Sequence, residues 1–105
     1  MAAYQIMVTT RAKKDIKKFK HLKDNIKNEL LKLEDNPKEK AKSLKGNFSS
    51  LHSYSFSINA NNYRTAFYLD EEKKDCLLIL VGTRQNFYKE LNLRWQSVKN
   101  EIMDE

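Results

Sequence analysis

The sequence predicts one α+β domain in the order β-α-α-β-β-β-α, a small antiparallel-rich sheet packed against an N-terminal helical hairpin and a C-terminal helix. Three observations carry this. Two apolar runs, Tyr63 to Leu69 and Cys76 to Val81, flank the charged connector DEEKKD, the pattern of an antiparallel hairpin. Upstream, Tyr54, Phe56 and Ile58 alternate with Ser53, Ser55 and Ser57, as a strand with one buried and one polar face requires. On either side of these strands, apolar residues recur instead at spacings of three and four, the period of an amphipathic helix. With 105 residues and 40% hydrophobic content the chain can close one modest core but not two, so residues 1–105 are expected to form a single domain.

In chain order, Tyr4 to Val8 fits a first strand, and Thr9 and Thr10 are suitable caps for a helix starting near Arg11. Ala12, Ile16, Phe19, Leu22, Ile26, Leu30 and Leu33 form one apolar stripe. A bend at Lys23-Asp24 divides it into two helices, because a single 25-residue rod would outrun so small a sheet. Asn36-Pro37 ends the second helix, since the residue before proline is biased away from helical geometry. Lys38 to Ser50 is polar and contains Gly46, which predicts a surface loop. Asn59 to Asn62 supplies the turn after the serine-bearing strand; centred between Ala60 and Asn61, it sets Ser57 opposite Arg64. The next turn, centred between Glu72 and Lys73, sets Arg64 opposite Val81, about three residues or ~10 Å from Arg84. Phe87, Leu91, Trp95, Val98 and Ile102 mark a final helix, and four-residue spacing puts Tyr88 on the helix face of Arg84.

The formal charge is +6, and it is local: residues 1–45 carry 13 Lys/Arg against 6 Asp/Glu, residues 46–105 carry 7 against 8. A nucleic acid or an acidic protein suits such a surface, and a well-solvated Lys-rich helical face accounts for it equally. The single cysteine, Cys76, lies in an apolar run and reads as a buried small hydrophobe in a reducing compartment. His21, near the helical bend, reads as structural or exposed. No signal-peptide pattern and no run of ~20 apolar residues is present, so a soluble, cytoplasmic protein without membrane contact is expected.

The phrases LKG (44–46), YR followed by an apolar strand (63–69) and LILVGTRQNFYK (78–89), with the pattern Gly82, Arg84, Tyr88 and a spacing of 20 residues from one arginine to the other, resemble the RelE/ParE superfamily of toxins from type II bacterial toxin–antitoxin systems. In the RelE branch the resemblance implies a ribosome-dependent endoribonuclease that cuts mRNA and is silenced by a cognate antitoxin. The alternatives are a ParE-like inhibitor of DNA gyrase without nuclease activity, or a non-toxic RNA-binding relative. The resemblance also implies an antitoxin segment folded onto the toxin; the basic helices and the exposed share of the Phe87 to Ile102 stripe are the expected docking surface for an acidic amphipathic partner.

The nuclease chemistry can be stated from first principles. Attack of a 2′-hydroxyl on the adjacent phosphorus needs a base, cationic donors for the phosphorane charge and an acid for the departing 5′-oxygen; neither metal nor cofactor is expected. Arg64 and Arg84 suit the charge, as planar forks of donors that match phosphate oxygens. Tyr88 suits stacking on a base or, as phenolate, taking the hydroxyl proton. Blander roles stand beside these: a cross-strand ion pair with a carboxylate for Arg64, a cap or salt bridge for Arg84, a partly buried aromatic for Tyr88. Where the nuclease branch carries basic residues on the strand before YR, this chain has Ser55 and Ser57, neutral residues expected to floor the RNA site. His52 on the same strand can substitute as acid or base, although its parity with Tyr54 turns it toward the other face. Lys45, in the approaching loop, is the candidate for a supplementary RNA phosphate contact.

Overall fold

The computed structural model describes the backbone of residues 3–103 and the side chains of residues 3–99. Its elements are β1 (Gln5–Val8), α1 (Thr10–Lys17), α2 (Lys23–Leu31), α3 (Pro37–Lys40), β2 (Lys42–Ser43), β3 (Leu51–Ile58), β4 (Asn61–Asp70), β5 (Asp75–Thr83) and α4 (Phe87–Met103). The five strands form one sheet in the order β1-β5-β4-β3-β2. Only β1 runs parallel to its neighbour, β5; the other pairings are antiparallel. The expected α+β class and element order are therefore found, with α3 and β2 added.

Side-chain alternation along β3 and β4 divides the core in two. On one face Phe56, Ile58, Tyr63, Phe67 and Leu78 pack with Ile16 and Ala12 of α1 and Ile26 and Leu30 of α2. On the other, Leu51, Ala66, Ile79 and Leu80 pack with Phe87, Leu91, Trp95 and Val98 of α4. The α4 stripe is thus buried against its own sheet rather than left for a partner, and Ile102 lies outside the described side chains.

Thr9 caps α1 as expected, its Oγ1 accepting from the Ala12 N–H at 3.2 Å. The hairpin break comes earlier than Lys23-Asp24. Phe19 leaves helical geometry at φ −106° and ψ 59°, and its partly buried ring packs edge-on against Tyr63 at 5.4 Å, so the bend falls where this side chain meets the sheet.

Lys38 to Ser50 is not a plain surface loop. β2 pairs with β3, Lys42 facing Ser53 and Ser43 facing His52. The Leu44 N–H then donates to Leu51 O at 3.0 Å, and Trp95 Nε1–H to Asn47 O at 3.1 Å. These bonds fasten the segment to the sheet edge and to α4, something its polar composition gave no sign of.

The first expected register shifts throughout, and the second holds from Phe67 to the turn but shifts before Phe67. The turn after β3 has two central residues, Asn59 and Ala60, both left-handed at φ 53° and 68°, the geometry of a type I′ hairpin. It places Ser55, not Ser57, opposite Arg64; Ser57 faces Asn62. Between β4 and β5 the register moves by one residue between Ala66 and Phe67, a bulge that leaves Ile79 without a facing residue. Arg64 therefore faces Gly82 rather than Val81.

Candidate functional site: a basic groove along the sheet

Arg64 sits in the middle strand of the sheet, on the α4 face, with β3 and β5 fixing its backbone. Its Nε–H donates to Ser55 Oγ at 3.1 Å, and its Nη1–H donates to Tyr88 Oη at 2.9 Å. The guanidinium also lies over two rings of α4, 5.6 Å from the Phe87 centroid and 5.5 Å from that of Tyr88. Such contacts hold an arginine in one rotamer without neutralising it. No carboxylate pairs with Arg64 among the described residues.

Two depressions meet at Arg64 and Ser55. The larger, about 460 Å³, is walled by Lys40, Lys42, Lys45 and Phe48 on one side and Tyr88 on the other, with Ser53 and Ser55 on its floor. The smaller, about 150 Å³, runs past Ser57 and Asn62 to Arg84. Neither lining contains a carboxylate. A continuous strip with cations at both ends and in the middle, a hydroxyl floor and an exposed phenol can bind successive phosphates of one extended strand.

The structure thus gathers Lys45, Ser55, Arg64 and Tyr88 in one groove, and Ser57 and Arg84 in its extension. The partner expected for Tyr88 differs: α4 begins at Phe87, so Arg84 precedes it, and the residue bonded to Tyr88 is Arg64. Arg84 is anchored through its backbone, the N–H donating to Asn62 O at 3.3 Å. His52 is not in the groove. It points to the opposite face, stacked on Phe67 with centroids 5.5 Å apart, and its Nδ1 is buried without a hydrogen-bond partner. Burial and, secondarily, the Lys38 charge push its pKa down. Sequence reading missed Lys40 and Lys42; the signal was their position beside a strand that alternates serines, legible only once β2 is seen to pair with β3.

Away from the groove, Cys76 is buried and its thiol is pushed up to about 12 by desolvation, which removes it as a nucleophile. Tyr54, hydrogen-bonded to Glu29 at 3.1 Å, is likewise raised to about 12, chiefly by burial. Among the described residues no three His, Cys, Asp or Glu side chains converge as metal ligands. No described helix is long and apolar enough to cross a membrane.

A five-stranded sheet with a helical hairpin on one face, a single helix on the other and a cationic groove at the Arg64 edge of that helix defines a small α+β toxin domain. The chain belongs to the ParE-like toxins of type II bacterial toxin–antitoxin systems, whose family model matches residues 6–92. It is a RelE/ParE superfamily toxin, one half of a toxin–antitoxin pair. An arginine-to-alanine double mutant of the Escherichia coli toxin RelE in the free state shares the fold at 23% identity and a TM-score of 0.67, covering 88% of this chain and 97% of that one. The isolated Escherichia coli RelE toxin gives 25% identity and a TM-score of 0.61, covering 88% and 98%. The toxin–antitoxin complex RelBE2 from Mycobacterium tuberculosis gives 21%, 0.66, 78% and 99%. No curated protein matches in sequence.

Proposed function

We propose that this toxin is a RelE-type endoribonuclease that cleaves mRNA on the ribosome through attack of a 2′-hydroxyl on the adjacent phosphate. The observation that carries the reading is Arg64, held by Ser55 and Tyr88, free of any carboxylate among the described residues and central to a groove without acidic lining. A guanidinium so fixed pays little ordering entropy when a phosphate arrives, and its charge gains most as the phosphorane forms. Tyr88, 48% exposed and hydrogen-bonded to that guanidinium, can receive a base against its ring or take the 2′-hydroxyl proton. Arg84 contributes a second positive charge on the far side of Arg64. The test is induction of the protein followed by mapping of cellular mRNA ends; growth arrest with intact transcripts would refute it.

A second reading has its own observation. Ser53, Ser55 and Ser57 leave the groove floor without a cation. A gyrase inhibitor of the ParE type needs no strand cations, and a supercoiling assay with purified gyrase distinguishes it.

The partner is a cognate antitoxin. Both E. coli and M. tuberculosis relatives occur in solved toxin–antitoxin complexes. On this chain an apolar cleft of about 400 Å³ between β1, α1 and α2 is rimmed by Lys13, Lys17, Lys23 and Lys27, and Leu31 beside it is half exposed. That surface suits an acidic amphipathic segment. Co-expressed with the adjacent gene product, the toxin is expected to elute from a sizing column as one complex; separate elution at micromolar concentration overturns this.

A further inference from the structure

Strand β3 carries no cation toward Arg64, yet the strand beside it does. Lys42 lies directly across the β2–β3 pair from Ser53, whose side chain is on the groove floor, and Lys45 follows three residues later in the same wall. The third lysine of that wall differs: Lys40 Nζ donates to Lys32 O at 2.6 Å and is tied back toward α2. Neither Lys42 nor Lys45 has a side-chain hydrogen bond or an ion pair with another described residue. Their backbone, by contrast, is immobilised by the β2–β3 ladder, the Leu44–Leu51 bond and the Trp95–Asn47 bond. Two unengaged ammonium groups on a fixed wall, opposite an exposed tyrosine and beside an arginine, are a preorganised anion site whose charge has no partner within the described chain.

We infer that Lys42, together with Lys45, binds the RNA phosphate adjacent to the one held by Arg64, so that the edge strand supplies the positive charge that the serines of β3 do not. The inference rests on the nuclease reading. The larger groove, about 460 Å³, lies within the range of small-molecule sites, roughly 300–1,000 Å³, and so has room for one nucleotide between the lysine wall and Tyr88. Lysine suits this place because its three donors follow a mobile phosphate without the bidentate geometry that arginine imposes. The direction of the strand follows: one backbone runs from the Lys42–Lys45 wall, over Arg64, to Arg84.

Single-turnover cleavage of mRNA on programmed ribosomes, over a range of salt, tests it. Lys42→Ala with Lys45→Ala is expected to slow cleavage at least about tenfold, the effect of one charge-assisted hydrogen bond, and to flatten the salt dependence by about 0.7 per lysine on a log–log plot. Lys73→Ala, exposed in the turn between β4 and β5 and outside both grooves, should leave both unchanged. Lys42→Arg with Lys45→Arg should keep most of the rate and the salt slope by retaining both charges, whereas a role of these side chains in folding alone would not follow charge. An active parent whose double variant cuts at the parental rate and with the parental salt slope overturns this inference alone. A parent that leaves mRNA intact overturns the nuclease reading and this inference with it.

Discussion

Replacing Arg94 by alanine removes the one cation among the described residues that reaches the buried carboxylate of Asp15. Arg94 donates to both Asp15 oxygens, at 2.9 and 3.0 Å, and to Ile79 O at 2.8 Å. Asp15 also accepts the Val81 N–H at 3.0 Å, so one ion pair joins α1, β5 and α4. The carboxylate side chain is 5% exposed and the guanidinium 16%, so water does not replace a lost partner readily. Breaking such a pair from one side costs about 3–5 kcal/mol, because it leaves an uncompensated buried charge. Each kcal/mol moves the Tm of a domain of this size by about 4–5 °C, so Arg94→Ala should melt on the order of 15–25 °C below the parent. Arg94→Met combined with Asp15→Leu removes both charges but should recover only part of that loss, since Ile79 O and the Val81 N–H lose their partners with them. Thermal unfolding of the two single variants and the double gives the coupling energy directly. If Arg94→Ala melts within a few degrees of the parent, the pair is not what holds the helices to β5.

Ala60 occupies a left-handed position at φ 68° where glycine is unstrained, so Ala60→Gly should stabilise the protein by about 1 kcal/mol net of glycine's entropy, read from a urea midpoint. A lower midpoint would mean the turn is not of type I′. His52 has a folded pKa below its ordinary value of 6.5, so the unfolded chain binds the extra proton first; the stability of neutral His52 is full above about pH 6.5 and lost as pH falls through the lower folded value. His52→Phe should therefore gain on the parent at pH 5 relative to pH 8 in denaturant melts, and equal pH profiles would contradict the burial argument. In cleavage assays Arg64→Ala should lose about a hundredfold in rate, as for one oxyanion donor, with little change in Tm. Tyr88→Phe keeps the ring and removes the Arg64 hydrogen bond and the proton acceptor; a near-parental rate assigns Tyr88 to stacking. Parental rates from Arg64→Ala would show that the reaction takes place elsewhere.

What was legible in the sequence was whatever one-sided burial writes into periodicity. The serine alternation in β3 announced a strand with Ser55 and Ser57 on one face, and the α4 stripe announced its helix. Register was not legible where both faces are buried. From Cys76 to Val81 every residue is apolar, so Ile79 and Leu80 pointing consecutively toward α4 leave no mark, and the bulge stays hidden. The turn at Asn59-Ala60 was obscured by four turn-forming residues in a row and by alanine standing where glycine is usual. Lys42 was missed for a different reason: a two-residue strand has no period to read, and its polar residues are fixed by bonds from Leu44 and Asn47 to partners that lie beyond the segment.

Charge enters this small core beside the bulge, past Leu78, where the pairing of β5 with β1 ends. Three backbone groups of β5 are met there by polar side chains. Ile79 O accepts from Arg94, Leu80 O accepts from Thr65 Oγ1 at 2.8 Å, and the Val81 N–H donates to Asp15. Leaving any of them unpaired in the interior would cost about 1–3 kcal/mol. The same one-residue shift turns Ile79 and Leu80 together under α4 and sets glycine, not valine, beside Arg64. A Cβ at 82 would stand 3.5 Å from Glu90 Oε2 of α4 and within 4 Å of no Arg64 atom. Bulges near functional sites re-aim side chains in this way. Asp15, Thr65 and Arg94 thus bond the backbone of β5 beside this irregularity and make no hydrogen bond to the groove's Arg64, Tyr88 or Ser55.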